Sequence, residues 1–270
     1  MSASSSRPRP GLEWRADGAI RPLERETPRE VAVGLSFDGR PHTVLMATPD
    51  DIADLAAGFT VTEAIAAFAD ILGVEVTTSD LGLLADVRLR PGAARRPARP
   101  RSLEGRSSCG LCGVQRLADA VRPLPAVTSV QAFRPGAVQR AVAALGERQA
   151  LGRLTRATHA AGFADPDGSL RLVLEDVGRH NALDKLAGAA MREGIDPSDG
   201  FVVVTSRCSF EMVEKTARIG CPMLVAISAP TDLAIQKAEE AGVTLVALAR
   251  DDGHTVFAHP ERLGLMAVLA

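Results

Sequence analysis

The chain has 270 residues, 46% of them hydrophobic, a formal net charge of −2, and only 3% aromatic residues with no Tyr and a single Trp. That length and apolar content suit one large domain, or one domain with a smaller partner, built round a full core. Near-neutral charge gives no global field toward nucleic acid or anionic membrane, and scarce aromatics argue against stacking platforms for single strands.

The N-terminal stretch MSASSSRPRPG has no apolar segment of the kind a secretory signal needs, and residues 1–12 read as a disordered tail. Glu30–Phe37 and His42–Ala47 read as strands around the turn Asp38-Gly39. At Thr48-Pro49-Asp50-Asp51 a helix is expected to begin, with Thr48 as cap, Pro49 in the first turn and two acids on the positive dipole end. Ile52, Leu55, Ala56 and Phe59 follow at helical spacing. Asp54, Glu63 and Asp70 interrupt the apolar stretch Ile52–Leu72, which excludes it as a membrane span. Val74–Thr78 and Asp86–Arg90 alternate as strands.

Between Arg88 and Arg106 the composition changes: arginines 88, 90, 95, 96, 99, 101 and 106 stand among Pro, Gly and Ala, opposed only by Glu104. Such a segment is either a solvated linker or a mobile basic arm attracting an anionic partner. Cys109-Gly110-Leu111-Cys112-Gly113 comes next, leading into the helical pattern Val114, Leu117, Ala118, Val121. A CxxC can be half of a zinc site, a redox pair, a sulfur-relay thiol or a structural pair. A closed zinc site needs four ligands, and Cys208 and Cys221 do not form a second pair at matching spacing. The zinc-deaminase signature of PCxxC with an upstream HxE is missing too, since Ser108 precedes Cys109 and the His259-Pro260-Glu261 triplet lies far downstream. No structural metal is expected. A helix start and Arg106 beside the thiols would lower a thiol pKa and raise the thiolate fraction, which suits a sulfur-relay thiol. Cys208 and Cys221 read as small buried hydrophobes. Four cysteines without an export signal point to a reducing cytoplasm.

A helix follows Pro135 to about Arg148. From residue 157 onward, strand patterns at His159–Ala164, Leu170–Asp176, Phe201–Ser206, Pro222–Ser228 and Val243–Arg250 are joined, over the last four, by helical patterns from Asn181, Phe210 and Asp232. This alternation indicates a parallel or mostly parallel sheet covered by helices. Ligands of such sheets bind outside the carboxyl ends of the strands. Those ends are rich in hydrogen-bonding groups, with Asp176, Arg179, His180, Ser206, Arg207, Ser228, Thr231 and Arg250 forming a crevice for a polar, phosphorylated ligand. Ordinary capping is the alternative, with Asn181, Ser209 and Thr231 as N-caps.

Taken together, these motifs resemble the formate dehydrogenase accessory sulfurtransferase family, FdhD/NarQ, from about residue 25 onward. The likeness is carried by Pro49-Asp50-Asp51 to Phe59, Ser108–Gly113, the run Glu175–Leu186 (EDVGRHNALDKL), Ser206-Arg207 with Phe210–Val213, Ser228–Thr231, Thr255–Phe257 and His259-Pro260. The resemblance implies an α/β fold: a three-layer α/β/α sandwich, cytidine-deaminase-like, over residues 109–270. A smaller N-terminal α+β subdomain (13–108) would precede it, with a homodimer as the usual assembly. It implies a sulfurtransferase that takes sulfur from a cysteine desulfurase and passes it to the bis-molybdopterin guanine dinucleotide cofactor of a formate dehydrogenase. By position, Cys109 would carry the persulfide and Cys112 would assist. Leu248, Ala249, Arg250, Asp251, Asp252 and Gly253 would meet the cofactor, with Arg250 toward phosphate and the two acids toward a guanine edge. No nucleic acid or membrane enters this scheme.

Overall fold

The computed structural model describes residues 5–93 and 123–265. Its first part comprises β1 (Ser6–Trp14), β2 (Ile20–Pro28), β3 (Val31–Phe37), β4 (Arg40–Ala47), α1 (Ile52–Thr62), β5 (Ile71–Ser79) and β6 (Gly82–Leu89). The second comprises α2 (Pro135–Arg148), α3 (Ala150–Thr155), β7 (His159–Ala164), β8 (Leu170–Asp176), α4 (Arg179–Arg192), β9 (Phe201–Val204), α5 (Phe210–Arg218), β10 (Met223–Ala226), α6 (Asp232–Ala241), β11 (Thr244–Arg250) and β12 (Gly253–Ala258). Among the described residues no helix is long and apolar enough to cross a membrane.

The larger unit is a six-stranded sheet in the order β12-β11-β10-β9-β7-β8. Strands β9 and β10 are buried at every residue, as runs of Val, Leu, Met and Ala must be when helices cover both faces. On one face Leu183, Leu186, Met212, Val213, Ala234 and Ala238 bring α4, α5 and α6 against Phe163, Val202, Leu224 and Leu245. On the other, Val138, Ala141 and Leu145 of α2 pack on Phe201, Val203, Met223 and Val246. The expected three-layer α/β/α arrangement is therefore present. The sheet is less parallel than its alternation suggests: β9/β10 and β10/β11 are parallel, but β7/β8, β7/β9 and β11/β12 are antiparallel. A short turn at Asp167–Ser169 joins β7 to β8 as a hairpin, and a hairpin needs no crossover helix.

The smaller unit is the sheet β4-β3-β6-β5, with α1 on one face around Val33, Leu35, Leu55, Phe59, Ala85 and Val87. Helix α1 lies between this sheet and α4. The two helices touch where a Cβ on Gly58 would fall 1.8 Å from the Asp184 carbonyl oxygen and one on Gly188 2.0 Å from that of Asp54. Only glycine permits so close an approach, so these two positions fix how the units dock.

Two expectations from the sequence are corrected by the fold. Residues from Ser6 onward are not a disordered tail: β1 pairs with β2 antiparallel over its full length, from Ser6 opposite Pro28 to Trp14 opposite Ile20. Thr48 does not cap α1. The helix begins at Ile52 after Asp51 in the left-handed conformation (φ 55°), and the Thr48 hydroxyl is instead drawn into the contact between the two units.

Candidate functional site

Because β7 runs antiparallel to both β8 and β9, strands β8, β9, β10 and β11 all point the same way. Their carboxyl ends line one edge, the place where the sequence leads one to look for a ligand. The start of β7 lies on that edge as well and adds His159, a residue whose contribution depends on strand direction and so escapes a reading of the sequence alone.

The run Glu175–Leu186 crosses this edge, and most of its polar residues point inward. Asp176 is fully buried: one oxygen takes the Lys185 ammonium (2.7 Å), the Thr48 hydroxyl (2.9 Å) and the Thr48 amide (3.0 Å), and the other takes Gly178 N (2.8 Å) and Asn181 Nδ2 (2.9 Å). Asn181 also donates to the Met46 carbonyl of β4 at 2.8 Å. Asp184 lies further along α4 and accepts from Lys215 of α5 (2.9 and 3.0 Å) and from Thr62 of α1 (2.6 Å), while Lys215 reaches Glu63 at 3.0 Å. Burial, partly offset by Lys215 and Thr62, pushes Asp184 above the usual carboxylate range. Burial also opposes the charge on Lys215, but Asp184 and Glu63 outweigh it and raise its pKa. Glu175 turns the other way and accepts from the amides of Leu151 and Gly152 at 2.8 and 2.7 Å, tying down α3. Asp176 therefore leaves the set of ligand-contacting residues, since both oxygens of its carboxylate are engaged inside the protein.

The outward part of the motif is different. His180 is partly open, with Nε2 3.2 Å from Glu211 Oε2, and the Ser209 hydroxyl donates to the same oxygen at 3.0 Å. Glu211 Oε1 is buried and has no partner among the described residues. His159 stands close by, and burial together with the positive charges of Arg179 and His180 lowers its pKa below 6.5. Ser209 occupies the N-cap of α5, but its hydroxyl serves Glu211 instead of the helix, whereas Thr231 does cap α6 by accepting from Ala234 N at 3.3 Å. Asn181 lies inside α4 and is not a cap.

Of the remaining edge residues, Arg207 is exposed at the end of β9 and Ser228 is half-buried past the end of β10. Ser206 is buried with its hydroxyl on the Arg207 carbonyl, so it supports the turn and faces no ligand. The segment Leu248–Gly253 completes the edge. Leu248 has φ 53° and is exposed, Ala249 is wholly buried, and Asp251 and Asp252 are exposed in the β11–β12 turn. Ala249 can thus meet a ligand only through its backbone. Arg250 Nη1 turns back to the Ile227 carbonyl and also reaches the Ala249 carbonyl. Gln139 steadies the hairpin by donating to the Arg250 carbonyl at 3.3 Å and contacting His254 Nδ1 at 2.8 Å. Arg250 is therefore partly committed, and Arg207 is the freer guanidinium for an anionic ligand. The exposed carboxylates of Asp251 and Asp252 are acceptors for N–H donors.

Cys109, Cys112 and the arginines between 95 and 106 lie outside the described residues. Arg90 is described and pairs at 3.7 Å with Asp70. Cys208 and Cys221 are fully buried, and burial pushes both thiols up to about 12.

Among known proteins, residues 28–264 match the sequence profile of the FdhD/NarQ family. A protein of Agrobacterium fabrum named sulfur carrier protein FdhD is 47% identical over 243 residues, 89% of this chain and 90% of its own. One of the same name from Cupriavidus necator is 45% identical over 259 residues, 95% of this chain and 90% of its own. The crystal structure of a candidate formate dehydrogenase accessory protein from Desulfotalea psychrophila superposes with a TM-score of 0.75 at 24% identity, covering 96% of this chain and all of that one.

Proposed function

Because the chain belongs to the FdhD/NarQ family, we propose that it is a sulfur carrier serving formate dehydrogenase maturation, with Cys109 bearing the sulfur as a persulfide. The observation that carries this reading is the extent of similarity to proteins named sulfur carriers, 47% identity across 89% of the chain. Cysteine chemistry supports the choice of thiol. The nucleophile in sulfur exchange is a thiolate, and a buried thiol whose pKa is pushed up to about 12 stays protonated at neutral pH, which removes Cys208 and Cys221 from consideration. That leaves Cys109 and Cys112 in the CGLCG segment.

In loading, the Cys109 thiolate attacks the outer sulfur of a persulfide on a cysteine desulfurase. The donor's S–S bond breaks, its electron pair departs on the donor cysteine as thiolate, and a new S–S bond forms at Cys109. Cys112 assists release. The acceptor is the bis-molybdopterin guanine dinucleotide cofactor, carried as cargo along the carboxyl edge: Arg207, Ser228, Thr231 and the remaining N–H groups of Arg250 take its phosphates, and Asp251 and Asp252 take a guanine. Backbone at Leu248, Ala249 and Gly253, with the side chains of Arg179 and His180, completes that surface. The setting is the cytoplasm, and the working form is a homodimer. In cells lacking the native protein, a Cys109→Ala version should fail to restore formate dehydrogenase activity, while Cys208→Ala at matched protein level should restore it. Restoration by both would remove Cys109 from this role.

A further inference from the structure

Helix α4 opens without a side-chain cap: Gly178 stands at its N-cap in extended conformation (φ −103°, ψ 125°), and its first two residues are Arg179 and His180. A helix start with no cap frays unless something else fixes the first turn. Here two long-reaching side chains do so. Asp176 Oδ1 accepts from Gly178 N at 2.8 Å and from Asn181 Nδ2 at 2.9 Å. The same Asn181 amide donates to the Met46 carbonyl at the end of β4, 2.8 Å away and 135 residues earlier in the chain. The turn is tight, since a Cβ on Gly178 would come within 2.9 Å of Asn181 Nδ2.

The two oxygens of Asp176 therefore have separate duties. Oδ2 is held by Lys185 and Thr48 in the contact between the units. Oδ1 is held by Gly178 and Asn181, which form the turn that begins α4. Arg179 and His180, both partly buried, are carried on that turn, whereas Asn181 is 7% exposed with its amide engaged on two acceptors inside the protein.

We propose that Asn181 is a positioning residue for the cargo edge: by tying the first turn of α4 to both Asp176 and Met46, it sets where Arg179 and His180 present their side chains. This assignment rests on the proposed cargo edge and gives the small unit a part in it, because one acceptor that fixes Asn181 belongs to β4. Groups that bind a ligand must be held within about 0.5 Å of their productive place by the residues behind them. Removing the tie lets the turn drift without touching any ligand contact directly.

Titration with guanosine diphosphate tests this, on variants shown to be folded and well below their unfolding temperature. Asn181→Ala should weaken binding about fivefold or more, the order that one lost hydrogen bond carries. Gly178→Ala, whose methyl would press on the Asn181 amide, should act in the same direction and serves where Asn181→Ala does not fold. Thr48→Val removes a hydroxyl from the Oδ2 side of the same carboxylate. It should lower the unfolding temperature and leave affinity within about twofold of wild type, as a site outside the turn should.

A double-mutant comparison separates positioning from general support of the fold. If Asn181 acts through Arg179 and His180, adding Asn181→Ala to a protein already carrying Arg179→Ala and His180→Ala should weaken binding no further. A residue that merely supported the fold would lower affinity equally in both backgrounds. Wild-type affinity in both Asn181→Ala and Gly178→Ala, an equal loss in Thr48→Val, or a full further loss in the triple variant would each overturn the inference and leave the edge reading standing. A wild-type protein that takes up no guanosine diphosphate would overturn the edge reading itself, and the inference with it.

Discussion

The interior contact between the two units and the open edge of the large sheet are built from the same stretch of chain but obey opposite rules. Inside, Asp176, Asn181, Asp184 and Lys185 are each matched to named partners on α1, α5 or the 46–48 strand end. At the edge, Arg207, Asp251 and Asp252 are exposed, and Glu211 Oε1 has no partner among the described residues. Groups that are fully paired hold structure, and removing one strands its partner in low dielectric. Exposed groups cost the fold little and remain available to a ligand. The run Glu175–Leu186 is therefore mostly a fastening, and the proposed ligand chemistry rests on its outward residues Arg179 and His180 and on residues beyond it.

Substitutions at the two regions should accordingly separate stability from binding. The largest loss is expected from Lys185→Met, which leaves Asp176 buried without its cation. Urea unfolding should show about 3–5 kcal/mol less stability, and a loss below about 1 kcal/mol would mean the pair does not hold the units together. Gly188→Ala comes next. Its methyl would meet the Asp54 carbonyl, so α1 and α4 must part, at about 1–3 kcal/mol. Unchanged stability there would show that the helices can slide.

A smaller effect concerns pH. His159 and His254 both have pKa values lowered chiefly by burial, in His159 also by Arg179 and His180. The unfolded chain then binds protons that the folded one refuses, so stability is complete above the ordinary value of 6.5 and falls as pH drops below it. His159→Gln should flatten the slope of unfolding midpoint against pH in that window, and an unchanged slope would place the titration elsewhere. Arg207→Ala should move stability by less than about 0.5 kcal/mol. Calorimetry with guanosine diphosphate should nonetheless show roughly tenfold weaker binding or more, as loss of a charge-assisted hydrogen bond implies, and equal affinity would break the assignment of phosphate to that residue. Smallest of all, Arg96→Ala should change neither quantity.

The physics of the two regions also decides what can be read in advance. Helix and strand positions in the large unit follow from apolar period, and α2, β7 and β8 fall at the expected residues because Pro135, Asp167 and Gly168 punctuate them. Chain direction is less legible. A hairpin and a crossover both present two apolar runs, so β7 reads as one strand of a largely parallel set, and its start at His159 goes unnoticed on the edge it occupies. The hairpin β1–β2 is hidden because four prolines and an Arg-rich face resemble a tail, and its pattern only becomes visible once Trp14 is set across from Ile20. Polar residue type alone does not separate Asp176, buried against Lys185, from Arg207, which lies open. That distinction depends on long-range partners such as Thr48 and Thr62, more than a hundred residues away.

The sulfur-carrier reading meets its most direct test in intact-mass spectrometry of the purified protein after incubation with a cysteine desulfurase and cysteine. The account predicts a gain of one sulfur atom, removed by dithiothreitol, present in wild type and in Cys208→Ala, measurable in Cys112→Ala and lost in Cys109→Ala. A sulfur adduct that persists in Cys109→Ala and disappears in Cys112→Ala would reverse the two thiols. The absence of any adduct on wild type, with the desulfurase shown to be active, would contradict the account.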